Sequence, residues 1–200
     1  MDFLKKLKLP DYLSLASLFF AWLSISFILI HNPHLAIFTM LAALFFDYLD
    51  GSAARLLKLD SKRGRYLDSF VDLVSYIVFS SLFYIKFLAP GFWVGIFVGY
   101  SMLALGILRL LRYGEEGILI DEKGKYYRGV TVLHISFLIT LGYFLRETNV
   151  YYNGWAFSII VFIASLLMLS NYKTHKKFVK FYWLIMVLVV LYTTYLRYGN

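Results

Sequence analysis

Asp47 and Asp50 stand three residues apart and Asp68 and Asp72 four apart, each pair at the edge of a long apolar stretch. A spacing of three or four puts both side chains of a pair on one helix face. Two such pairs on neighbouring helices, joined by a short turn, can face each other. Four carboxylates brought together repel unless something positive sits among them. An all-oxygen donor set suits a hard divalent cation such as Mg²⁺, Mn²⁺ or Ca²⁺. Ionisable groups in apolar helices are costly and mark function. The competing account is surface pairing with Arg55, Arg63 or Arg65, which serves any one aspartate better than all four at this spacing.

The elements that must position these residues are legible from composition. Of the 200 residues, 60% are hydrophobic and 16% charged, against about 25% charged in a soluble domain. Seven apolar stretches recur, at 12–31, 35–57, 65–88, 91–112, 129–146, 154–171 and 178–197. About 20 apolar residues cross a bilayer, and in lipid the backbone must satisfy itself, which makes these stretches helices. The expected class is all-α: a polytopic membrane helical bundle forming one domain over 1–200. Its core covers 10–175, with a seventh helix at 178–197. Asn32-Pro33, Pro90-Gly91 and Asn153-Gly154 punctuate the turns.

Basic residues set the expected orientation. All but Lys86, Arg146 and Arg197 of the 20 lysines and arginines fall before the first stretch or in alternate loops and the stretch ends that flank them. Such residues accumulate on the cytoplasmic side, so the N-terminus and both aspartate pairs are expected there, in a multi-pass protein of the cell membrane. The net charge of +8 thus reads as topology, not as a nucleic-acid surface. The run after Lys5, Lys6 and Lys8 is too long for a signal core and reads as a retained span. The chain has no cysteine, which excludes disulfides, thiolate metal sites and a cysteine nucleophile. An ion pathway is the rival from another class. It would need acids at depth, whereas these lie at one face and the later spans carry none to continue a path.

The run Asp47-Tyr-Leu-Asp50-Gly51-Ser-Ala-Ala54-Arg55, then eight residues, Gly64, three residues, Asp68, three residues, Asp72 resembles the full motif of the CDP-alcohol phosphotransferase family. The resemblance implies a six-helix core, a homodimer and two divalent metal ions. It implies Asp47, Asp50, Asp68 and Asp72 as metal ligands, with Asp72 also taking the proton of the incoming hydroxyl. The CDP-lipid side comprises Asp50, Gly51, Ala54, Arg55, Gly64 and Ser14. Gly51 and Ala54 lack bulk, so cytidine can lie against the helix, although close helix packing also uses small residues. Arg55 would grip phosphate, and Gly64 would bend the entry to the third span.

Three further segments resemble the membrane-type phosphatidylserine synthases of that family. They are Leu67-Asp68-Ser69-Phe70-Val71-Asp72-Leu73-Val74-Ser75, then Arg109-Leu-Leu-Arg112-Tyr113 followed by Tyr127-Arg128-Gly129, and Leu167-Met-Leu-Ser170-Asn-Tyr172-Lys173. The chain departs from their pattern at Pro10-Asp11-Tyr-Leu-Ser14 and at Gly129-Val130-Thr131. The implied partners are CDP-diacylglycerol or the ether-linked CDP-archaeol, and L-serine, within membrane lipid and without nucleic acid. Arg109, Arg112, Tyr127 and Ser75 are the expected serine-binding residues, since an arginine can meet a carboxylate bidentately. Inositol phosphate and glycerol phosphate are the alternative acceptors.

Overall fold

A computed structural model describes residues 7–58, 62–117, 119–122, 124–148 and 152–175. The expected helix at 178–197 lies outside the described residues. The elements run α1 (Leu9–Leu29), α2 (Pro33–Leu56), α3 (Lys62–Asp72), a π-helical stretch (Leu73–Val78), α4 (Phe79–Phe87), α5 (Phe92–Glu116), β1 (Leu119–Asp121), β2 (Gly124–Arg128), α6 (Val132–Glu147), α7 (Gly154–Leu167) and β3 (Lys173–His175). The fold is an all-α membrane bundle with one small sheet added.

Among the described residues, Leu9–Leu29, Pro33–Leu56, Gly64–Phe87 and Phe92–Glu116 are long and apolar enough to cross a membrane. The expected spans five and six are shorter than the sequence suggests. They form helices of 16 and 14 residues, or roughly 24 and 21 Å at 1.5 Å per residue, against a hydrocarbon core of about 30 Å. α6 begins three residues later than expected because Gly129 takes a left-handed φ of 73°. α7 ends at Leu167, and the chain then turns away into β3.

α1 and α2 form an antiparallel hairpin closed by Asn32, which caps α2 through its side chain. Their seam is built from small and hydroxylated residues at alternating spacings of three and four: Ser14, Ser17, Ala21, Ser24 and Ile28, all buried. Ser17 Oγ donates to the Ala43 carbonyl at 2.9 Å and Ser24 Oγ to the Ala36 carbonyl at 2.6 Å. Lipid tails give little hydrophobic drive for helices to associate. Close approach and interhelical hydrogen bonds take over, and both need small side chains.

α3, the π stretch and α4 continue one another as a single rod. Its wide segment starts directly after Asp72, and Ile77 within it beds onto Gly106 of α5, where a Cβ would come within 2.5 Å of Ile77 Cδ1. The end of the bundle away from the aspartates is packed dry. Phe79, Phe83, Phe87 and Tyr143 form a chain of ring contacts, and Tyr143 bonds His34 at 3.1 Å. His34 and Asp47 are 13 residues apart on α2, roughly 20 Å along the helix. The polar site and this aromatic core therefore occupy opposite ends.

Candidate functional site

Asp47 and Asp50 lie near the C-terminal end of α2, and Asp68 and Asp72 lie on α3. A carboxylate oxygen from each of Asp47, Asp50 and Asp68 lies within 4.8 Å of the other two. So short a spacing of like charges is tolerable only with a cation among them or with protons taken up. The donors are all oxygen, from two helices, and this set fits a hard divalent ion. Asp72 stands beside the trio, within electrostatic reach of Asp47 and Asp68 on one side and of Arg109 on the other. The structure thus brings the four sequence-predicted aspartates to one place.

Each ligand candidate is held by its surroundings. Ser14 of α1 donates to Asp50 Oδ2 and also bonds the Pro10 carbonyl. Ser14, expected on the CDP-lipid side, hydrogen-bonds the buried Asp50. Tyr76, buried in the π stretch, donates its phenol to Asp47 Oδ2 at 2.7 Å. The sequence reading missed Tyr76. Its position was available as the next member of the series 68, 72, 76.

The predicted cytidine-side residues form an open strip on α2. A Cβ at Gly51 would meet only the Arg55 guanidinium, at 3.4 Å. Among the described residues no other helix comes within 4 Å of that position. Ala54 and Arg55 are part-exposed beside it, with Arg55 bonded to Ser52 Oγ at 3.2 Å. Gly64 lies inside the first turn of α3 rather than ahead of it.

The two arginines expected to bind the acceptor separate. Arg109 is 5% exposed, with its guanidinium over the rings of Tyr113 and Tyr127 at 5.4 and 5.9 Å and within reach of Asp72. Burial pushes the Tyr127 phenol up, against the pull of Arg109, so this phenol stays a neutral donor. Arg112 turns the other way. It donates to the carbonyls of Met168, Leu169, Ser170 and Arg128, the shortest at 2.8 Å. These carbonyls lie in the turn just beyond α7, so Arg112 ties that turn to β2. It builds the wall of a small pocket, whose lining includes Arg109, Tyr113, Glu116, Tyr127 and Arg128. Ser75 is 1% exposed and its Oγ has no hydrogen-bond partner among the described residues, so it retains bonding capacity for a ligand or water.

A small sheet, absent from the all-α expectation, contributes Tyr127 and Arg128 to this pocket. β1 and β2 form a hairpin, and β2 pairs antiparallel with β3, Tyr126 opposite His175 and Arg128 opposite Lys173. Two ion pairs fasten it, Arg128–Glu116 at 3.1 Å and Lys173–Asp121 at 3.2 Å. Gly129 leaves β2 directly under the end of α7. A Cβ there would fall 2.0 Å from the Met168 carbonyl oxygen and 2.8 Å from Arg112. Gly129→Ala should therefore lower stability by at least about 2 kcal/mol, from the left-handed φ and the clash together. The unfolding midpoint in detergent should fall by roughly 4–8 °C; an unchanged midpoint would contradict this close approach.

A model of the CDP-alcohol phosphatidyltransferase family matches residues 7–194. Three similar proteins give the family its finer setting. A CDP-diacylglycerol–serine O-phosphatidyltransferase of Bacillus subtilis is 34% identical over 109 residues, which cover 54% of this chain and 62% of that protein. One of Helicobacter pylori is 26% identical, over 80% of this chain and 79% of its own length. An archaetidylserine synthase of Methanothermobacter thermautotrophicus is 28% identical, over 82% of this chain and 67% of its own.

Proposed function

The chain belongs to the CDP-alcohol phosphatidyltransferase family, and from that membership we propose that it transfers a phosphatidyl-type group from a CDP-linked lipid to L-serine, with release of CMP. The observation that carries this reading is the carboxylate trio of Asp47, Asp50 and Asp68 with Asp72 beside it. Support for serine comes from the relatives, whose names specify serine or archaetidylserine chemistry. The donor is CDP-diacylglycerol or CDP-archaeol, since relatives of both kinds align.

Two divalent ions, Mg²⁺ or Mn²⁺ (with Ca²⁺ also able to bind), would be held by Asp47, Asp50, Asp68 and Asp72. When bound, they would neutralise the diphosphate and ease departure of the leaving group. The remaining work falls to side chains. Gly51 and Ala54 leave room for cytidine against α2, and Arg55 and the turn around Gly64 take phosphate. Arg109 pairs with the serine carboxylate, screened from water by Tyr113 and Tyr127. A carboxylate there brings the serine hydroxyl toward Asp72 and Ser75. Asp72 accepts the hydroxyl proton, and the serine oxygen bonds to the lipid-side phosphorus. The bond from that phosphorus to the bridging oxygen breaks, and its electron pair leaves with CMP. Arg112 keeps the expected place at the acceptor pocket by fixing its wall.

In the cell the protein is a multi-pass protein of the cell membrane, N-terminus cytoplasmic, with the site at the cytoplasmic interface and two copies forming a dimer. The test is CMP release by purified protein in detergent with CDP-diacylglycerol and Mg²⁺ or Mn²⁺. Serine, inositol phosphate and glycerol phosphate are supplied separately. Release with serine alone is the expected result; release only with a phosphorylated alcohol would overturn the serine assignment and leave the carboxylate site standing.

A further inference from the structure

We propose that Tyr76 is a positioning residue for the metal site, fixing the Asp47 carboxylate through its phenol so that one oxygen is committed to the protein and the other is presented to the ion. This rests on the reading of Asp47 as a metal ligand. The phenol donates to Asp47 Oδ2 at 2.7 Å across the gap between the rod and α2. Tyr76 is 3% exposed, so water does not compete for that bond. The π stretch begins at Leu73, directly after Asp72, and ends at Val78. π turns commonly mark functional positions, because the extra residue re-aims side chains. Here the widened turn lies against α5 where Ile77 meets Gly106, and that packing fixes the backbone that carries Tyr76.

The energetic reason is orientation. A carboxylate at the end of two rotatable bonds loses freedom when an ion takes it, and a bond made beforehand removes part of that cost. Outer-shell partners of metal-binding carboxylates are worth about 10- to 100-fold in metal affinity or activity. Ser14 does for Asp50 what Tyr76 does for Asp47, from the opposite helix. Two of the three clustered carboxylates are thus each tied by a hydroxyl from outside the motif.

The experiment is Mn²⁺ binding to purified full-length protein, read by the loss of the free-ion electron paramagnetic resonance signal, without substrate. Tyr76→Phe keeps the ring and should weaken Mn²⁺ binding by about tenfold or more, while the unfolding midpoint in EDTA moves little. Unchanged affinity would overturn the proposal. So would an equal fall of the midpoint with and without Mn²⁺, which marks a packing defect. A second variant carries 3-fluorotyrosine at position 76, whose shape is nearly kept and whose O–H is a sharper donor. It should bind Mn²⁺ at least as tightly as the parent; a loss as large as that of Tyr76→Phe would also overturn the proposal. Asp47→Ala separates the two readings. Lost binding there with intact binding in Tyr76→Phe removes only the role of Tyr76, and intact binding in both removes Asp47 as a ligand.

Discussion

Asp72→Asn should lower turnover by about two to four orders of magnitude, the usual worth of a positioned general base, while leaving the CDP-lipid bound. The amide keeps the shape of the carboxylate but cannot take a proton at neutral pH. The oxygen trio of Asp47, Asp50 and Asp68 closes without Asp72, so donor binding should survive. Asp72 is also within electrostatic reach of both that trio and Arg109, the residue proposed to anchor the serine carboxylate. The measurement is CMP release under saturating serine, beside retention of labelled CDP-lipid by the same preparation. Turnover within tenfold of the parent would take Asp72 out of the base role.

Asp50→Asn should fail differently. Asp50 is 5% exposed and belongs to the trio. Outer-shell partners alone are worth 10- to 100-fold, so loss of a ligand should cost at least about a hundredfold in metal affinity. Turnover should collapse at ordinary Mg²⁺ or Mn²⁺ and recover in part as the ion concentration is raised. For Asp72→Asn turnover should stay low even where raised ion makes good a weakened metal site, because an ion does not replace the missing base. In EDTA the sign reverses, because removing one of three crowded carboxylates relieves repulsion. The Asp50→Asn protein should then melt no lower than its parent. A variant that loses activity, melts lower in EDTA and does not respond to added ion would instead place Asp50 among residues that hold the fold.

The contrast between what was legible and what was not follows from the range of each signal. The aspartates were legible because a helix maps a spacing of three or four onto one face, and because a charge in an apolar stretch stands out. The family motif added the partners of that face. Tyr76 was not found, since an aromatic residue in a membrane helix looks like core until its hydroxyl has a partner. Arg109 and Arg112 were read as equivalent. They are three residues apart on α5, and which way each turns depends on α7 and β2, which lie far along the chain. The sheet was missed for a similar reason. Gly124–Arg128 is short and polar, and half of its pairing comes from Lys173–His175. The glycine strip was readable only as an ambiguity between a cytidine surface and close helix packing; among the described residues no other helix packs on Gly51.

The pairing of β2 with β3 also has a consequence in time. Tyr126 and His175 are partners yet are made 49 residues apart. At roughly 5–20 residues per second, a ribosome needs roughly 2–10 s to pass from one to the other. During that interval the hairpin is without its third strand, and Arg112 awaits the carbonyls at 168–170. The carboxylates on α2 and α3 have all been synthesised well before then. A nascent chain can therefore assemble its acidic cluster first and add the third strand beside the pocket of Arg109 and Tyr127 last.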